Sequence, residues 1–122
     1  MPLLLTACPS FAPRWVEHRA EWGEDEPLLY IDLGVFADHL VALLQRGETG
    51  EFPAVFDAVE RLHADGNAYV REAATIGLLE GIQNVALNKG LDPDAFEPFL
   101  QMHSAHWWRR LNDFWSGKTP HV

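Results

Sequence analysis

Apolar residues recur along this chain at intervals of three and four, and alternation at intervals of two is almost absent. Over residues 31–46, Leu33, Phe36, Leu40, Leu43 and Leu44 fall within an arc of about 120° when each residue turns by about 100°. That spacing predicts a helix, and Gly47 supplies its stop. A second helix is expected over residues 52–64, where Phe52, Val55, Phe56, Val59 and Leu62 share a face. The turn residues Asp65 and Gly66 end it. Upstream, Pro13 can occupy the first turn of a short helix that runs to about Trp22. The segment "GEDEP" then interrupts the chain. "LLYIDL" is the best strand candidate, but a lone strand would have no partner.

The longest helical pattern covers residues 67–89, with Asn67 as an N-cap and Lys89-Gly90 as a normal end. Its apolar residues do not form one stripe. Val70, Ala74, Leu78, Ile82 and Val85 define one face, and Tyr69, Ala73, Ile76 and Leu87 a nearly opposite one. A helix apolar on two faces is expected at the centre of a bundle. Gly77 and Gly81 each disfavour a helix by roughly 1 kcal/mol against alanine. Close approach of a neighbouring helix would explain them. "LDPDAFEPFL" predicts a short helix with Asp94 as cap, and Ser104 can cap the last one.

That last helix carries "HSAHWWRRLNDFW", residues 103–115. On a helical wheel Trp107, Trp108, Leu111, Phe114 and Trp115 gather on one side, which predicts a wall of the core. His103 falls at the edge of that wall and His106 outside it. Two histidines at i and i+3 can share a metal, but a bound metal needs further ligands. The stretch is expected to be structural, with no metal.

Composition narrows the functional classes. The chain has 122 residues, 18 acidic against 9 basic, for a formal charge of −9. Nucleic acid needs a basic stripe, and an anionic membrane surface needs the same, so neither is an expected partner. The acidity is uneven. Residues 1–61 hold eleven acidic and four basic side chains, and residues 62–122 hold seven and five. The excess concentrates at Glu17, Glu21, Glu24, Asp25 and Glu26, with Trp22 among them, and again at Glu48 and Glu51. An aromatic anchor among acidic residues is a plausible surface for a basic protein.

Other chemistry is sparse. The single cysteine, Cys8, rules out an internal disulfide. "LLLTAC" resembles a lipoprotein cleavage site, but no charged start precedes it and the apolar run is too short. "ERLH", residues 60–63, has the Glu-x-x-His spacing of carboxylate-bridged di-iron bundles. Those bundles need the motif twice, and this chain has it once. His63 is therefore expected in the core with a hydrogen-bond partner. Glu72, Glu80 and Gln83 fall within about 80° of one another on the central helix. They could do acid–base work if a pocket shifted one of them. No phosphate loop, dinucleotide fingerprint or Gly-x-Ser-x-Gly elbow occurs.

"YVREAATIGLLEGIQN" with the closing "WWRRLNDFW" resembles an uncharacterised family of small, acidic, all-helical bacterial proteins. The likeness covers most of residues 28–117. It brings no catalytic residues with it. Proteins of that kind are often encoded beside toxins that they neutralise, so the resemblance implies an immunity-like role. "VREAATIGLLEG" also resembles the second helix of a HEAT-type repeat, although one helix pair does not make a solenoid.

These readings converge on an all-α protein, a bundle of five or six helices, with HEAT-like hairpin packing around a central helix 67–89. The expected organisation is an irregular lead-in over residues 1–12, one helical domain over 13–117 and a disordered tail over 118–122. The expected role is a cytoplasmic, non-enzymatic protein-binding module without cofactor, which masks a basic toxin domain. Its partner surface would be formed by Glu17, Glu21, Trp22, Glu24, Asp25, Glu26, Glu48 and Glu51. A homodimer is compatible with this reading. One alternative is a small helical enzyme or ligand-binding bundle using Glu72, Glu80 and His63. Another is a HEAT-like adaptor.

Overall fold

The helices follow the apolar spacing closely. A computed structural model describes residues 2–22 and 29–115, with side chains for 3–20 and 31–113. Its helices are α1 (Pro2–Ala7), α2 (Ala12–Trp22), α3 (Leu29–Gln45), α4 (Phe52–Asp65), α5 (Ala68–Glu72), α6 (Glu80–Asn88) and α7 (Met102–Trp115). A π-helical stretch, Ala73–Leu79, joins α5 to α6 in one continuous rod. Short 3-10 segments, Pro9–Phe11 and Pro93–Phe99, precede α2 and α7. The described residues contain no strand.

The fold is all-α, with seven helices among the described residues instead of five or six. The π stretch divides the expected central helix into two, and α1 adds one where an irregular lead-in was expected. Proline is tolerated in the first turn, where its missing N–H has no intrahelical partner to lose. Leu4, Cys8 and Phe11 from this segment are buried in the core, and α1 packs on α4. The expected tail at 118–122 lies outside the described residues.

Two helix ends show why glycine is placed where it is. Gly47 has φ +71°, and the N–H of Glu48 donates to the Leu43 carbonyl at 2.9 Å. Gly90 has φ +73°, and the N–H of Leu91 donates to the Ala86 carbonyl at 2.8 Å. These are left-handed caps that only glycine adopts without steric cost. Asn67 caps α5 as expected, accepting from the Val70 N–H at 2.9 Å. The cap before Pro93 is Asp92 and not Asp94. Asp94 instead accepts from the Trp108 indole N–H at 3.1 Å and the Asn112 amide at 3.1 Å.

α3 lies along the rod formed by the π stretch and α6, while α4 packs on α7. Principal contacts thus skip the next helix in sequence, unlike a stack of hairpins. Leu33, Phe36, Leu40 and Leu43 of α3 and Val55, Phe56 and Val59 of α4 are buried. Each such side chain contributes about 1.5–3 kcal/mol on leaving water. A Cβ on Gly81 would stand 3.4 Å from the Ala37 Cβ, so the small residue does admit α3 closely. One expected face of the rod is covered, through Ala74, Leu78 and Ile82. The other is not, because Tyr69 and Leu87 are each 54 % exposed.

α7 also departs from a simple wall. Trp108 and Leu111 are fully buried, whereas Trp107 is only partly buried. The side chains of Phe114 and Trp115 lie outside the described residues.

Candidate functional site

Where α4 ends and α5 begins, the chain turns through Gly66 and Asn67. The small residues Ala64 and Ala68 flank that corner. Opposite stands the first turn and a half of α7, with His103, His106 and Trp107. The π stretch closes the base with Thr75 and Ile76. Together with His63, Arg71 and Glu72, these residues line an open groove of about 700 Å³. That size falls within the range of small-molecule sites. π stretches recur at functional sites, because they break the regular ladder and re-aim side chains.

Glu60 holds one wall in place. Its Oε2 accepts from the His103 N–H at 2.6 Å and from His103 Nδ1 at 2.5 Å, and its Oε1 accepts from the Ser104 N–H at 3.0 Å. A carboxylate from α4 therefore caps the start of α7, where free N–H groups and the helix dipole favour negative charge. Burial pushes the Glu60 carboxyl up, but the hydrogen bonds from His103 and Ser104 outweigh it and hold the group below the usual carboxylate range. Ser104 itself, expected as a cap, sits inside α7 and accepts from the Gln101 N–H at 2.9 Å.

His63 fixes the base of the groove. It is buried, and its Nδ1 donates to the Val59 carbonyl at 3.0 Å. Nε2 then accepts from the Thr75 hydroxyl at 3.1 Å, a hydroxyl that also lies 3.1 Å from the Arg71 carbonyl. Burial holds the His63 imidazole below the usual histidine range, which keeps it neutral and suits this arrangement. The two members of "ERLH" thus serve two different sets of partners. Among the described residues no group of three or more His, Cys, Asp or Glu side chains is placed to hold an ion.

Of the partner-surface residues expected from the sequence, only the side chains of Glu17, Glu48 and Glu51 fall among the described residues. Glu17 is exposed on α2. The side chains of Glu21 and Trp22, and all of Glu24, Asp25 and Glu26, lie outside the described residues. Glu48 is exposed and pairs with Arg46 at 3.1 Å. Glu51 is committed internally. It accepts from the Ser10 hydroxyl at 2.6 Å, the Ser10 N–H at 3.0 Å and the Cys8 thiol at 3.0 Å.

Glu72, Glu80 and Gln83 do not meet in the groove. Glu72 lines the groove. Glu80 does not, and burial pushes its carboxyl up. Gln83 is buried against α7, donating to Asn112 Oδ1 at 3.2 Å. Ala64, Ala68, Arg71, Thr75, Ile76 and Trp107 are the groove residues for which nothing in the sequence suggested a functional role. The pairs Glu60/His63 and His103/His106 were visible as motifs, and the fold brings them to the same place.

The site is thus an open, mixed apolar and polar groove on an all-helical domain. The chain belongs to the family described as Domain of unknown function (DUF7674), whose model matches residues 1–116. No curated protein and no solved structure matches the chain. Among the described residues no helix is long and apolar enough to cross a membrane.

Proposed function

We propose that this protein is a binding module whose groove between the α4–α5 corner and α7 takes one small molecule with a flat apolar part. The observation that carries the reading is the groove itself. Ala64, Ala68, Ile76 and Trp107 offer apolar surface, and a few polar groups converge on it. That mixture is what orients a small ligand. The lone cysteine, free and buried, suits the reducing cytoplasm, which we propose as its compartment.

The test is an amide NMR titration with a neutral ring compound, 3-phenylpropan-1-ol. Signals from residues 64–76 and 103–107 should move together, and Trp107→Ala should weaken the effect. Shifts absent up to the solubility of the compound, or confined to another surface, would overturn the reading.

A second reading rests on the formal charge of −9 and the exposed Glu17. In it the chain masks a basic protein, such as a toxin domain, through its acidic N-terminal half. Glu17→Lys should then slow association with that partner, while Trp107→Ala should leave it unchanged.

A further inference from the structure

The groove contains more polar groups than are available to a ligand. His63 is occupied by Val59 and Thr75, and His103 by Glu60. Three lining groups make no hydrogen bond or ion pair among the described residues, namely the guanidinium of Arg71, the carboxylate of Glu72 and the imidazole of His106. The other described side-chain ion pairs, such as Arg14–Asp38 and Arg61–Asp57, lie elsewhere. One unpaired cation and one unpaired anion are therefore left on the same groove, on consecutive residues.

That juxtaposition discriminates among ligands. Both side chains line the same groove, so both charges act on whatever occupies it. A purely anionic ligand held by Arg71 would share the groove with Glu72, and a purely cationic one held by Glu72 would share it with Arg71. Like charges in one groove oppose binding. A ligand carrying both charges on neighbouring atoms avoids either penalty. An α-amino acid does so, with carboxylate and ammonium on one carbon. Its side chain would then lie against Trp107 and Ile76, which favours a large apolar or aromatic one.

Resting on the binding reading above, we propose that the groove recognises a free α-amino acid with a large apolar side chain, its carboxylate met by Arg71 and its ammonium by Glu72. Four probes that share one ring test this in the same NMR titration. They are L-phenylalanine, 3-phenylpropionate without the ammonium, 2-phenylethylamine without the carboxylate, and 3-phenylpropan-1-ol without either.

L-phenylalanine should bind tightest. Each deleted charge should weaken binding about fivefold, the upper range for an exposed ion pair. Arg71→Gln should abolish the advantage of phenylalanine over phenylethylamine, and Glu72→Gln its advantage over phenylpropionate. Both side chains are exposed, so both variants should keep the wild-type helical signal. Arg14→Gln, outside the groove lining and paired with Asp38, should change neither preference.

If the alcohol binds as tightly as phenylalanine, or the two variants leave the preferences unchanged, this inference fails while the groove reading stands. Phenylpropionate binding tightest, with loss on His106→Ala, would mark a plain anion site and also overturn it. If no probe moves the groove signals, the binding reading fails and this inference with it.

Discussion

Removing the Glu60 carboxylate should destabilise the fold through the start of α7, and the size of the loss can be worked from the contacts. Its side chain is only 15 % exposed, and it receives two backbone N–H groups and one imidazole. Losing an N-cap costs about 1 kcal/mol. Ser104 is fully buried, so its N–H would be left without water to replace the lost acceptor, for about 1–2 kcal/mol more. Glu60→Ala should therefore cost about 2–3 kcal/mol in chemical denaturation, and lower Tm by about 8–12 °C at this chain length. Glu60→Gln keeps one acceptor oxygen and should cost about half as much.

The pH dependence has a fixed sign. The folded carboxyl titrates below its ordinary value, held there by the His103 and Ser104 donors against the opposing effect of burial. Its stabilisation is thus complete above the unfolded value of about 4.3, and is lost as pH falls through the folded value. The gap between wild type and Glu60→Gln should be constant near neutrality and close in acid. A loss below about 0.5 kcal/mol for Glu60→Ala, far under the ordinary value of a cap, would refute the clamp. So would a gap that stays open in acid.

Trp108→Ala should cost about 3–5 kcal/mol in the same assay, because the ring is fully buried and its N–H is bonded to Asp94. A loss under about 1 kcal/mol would place the ring outside the core. Cys8 should resist thiol reagents in the native protein and react on unfolding. Burial, with the hydrogen bond to Glu51, pushes its thiol up to about 12, and the thiolate is the reactive form. Rapid native labelling at mildly alkaline pH would contradict this.

Much of the fold was legible because burial in a helical bundle imposes a period on the sequence. The stripe in α3, the stripe in α4, the Asn67 cap and the stops at Gly47 and Gly90 are all local signals, and the structure uses each. The misreadings involve long-range contacts. Asp94 looks like a cap from its neighbours, yet its carboxylate turns to Trp108 and Asn112 on α7. Ser104 looks like a cap too, but Glu60, 44 residues earlier, satisfies its N–H. Glu51 reads as surface charge, and becomes the acceptor for Ser10 and Cys8 only once the N-terminal segment folds onto it. No single helix contains both members of such pairs.

The groove escaped the sequence for a different reason, one that lies in the rod itself. A helical wheel assumes about 100° per residue throughout. The π stretch of Ala73–Leu79 bonds i to i+5 and turns less per residue, so seven residues lag by about a quarter turn. Glu72, before the stretch, and Glu80 and Gln83, after it, therefore do not stand in the relation that an unbroken α-helix would give them. Glu72 goes to the groove, while Gln83 is carried round to α7. The second apolar face is also incomplete. Ala73 and Ile76, within the stretch, are covered or half-covered, while Tyr69 before it and Leu87 beyond it are exposed. Thr75, in the middle of the stretch, is the residue that meets His63 at the base of the groove. The irregularity that a helical wheel cannot show thus supplies part of the base of the site.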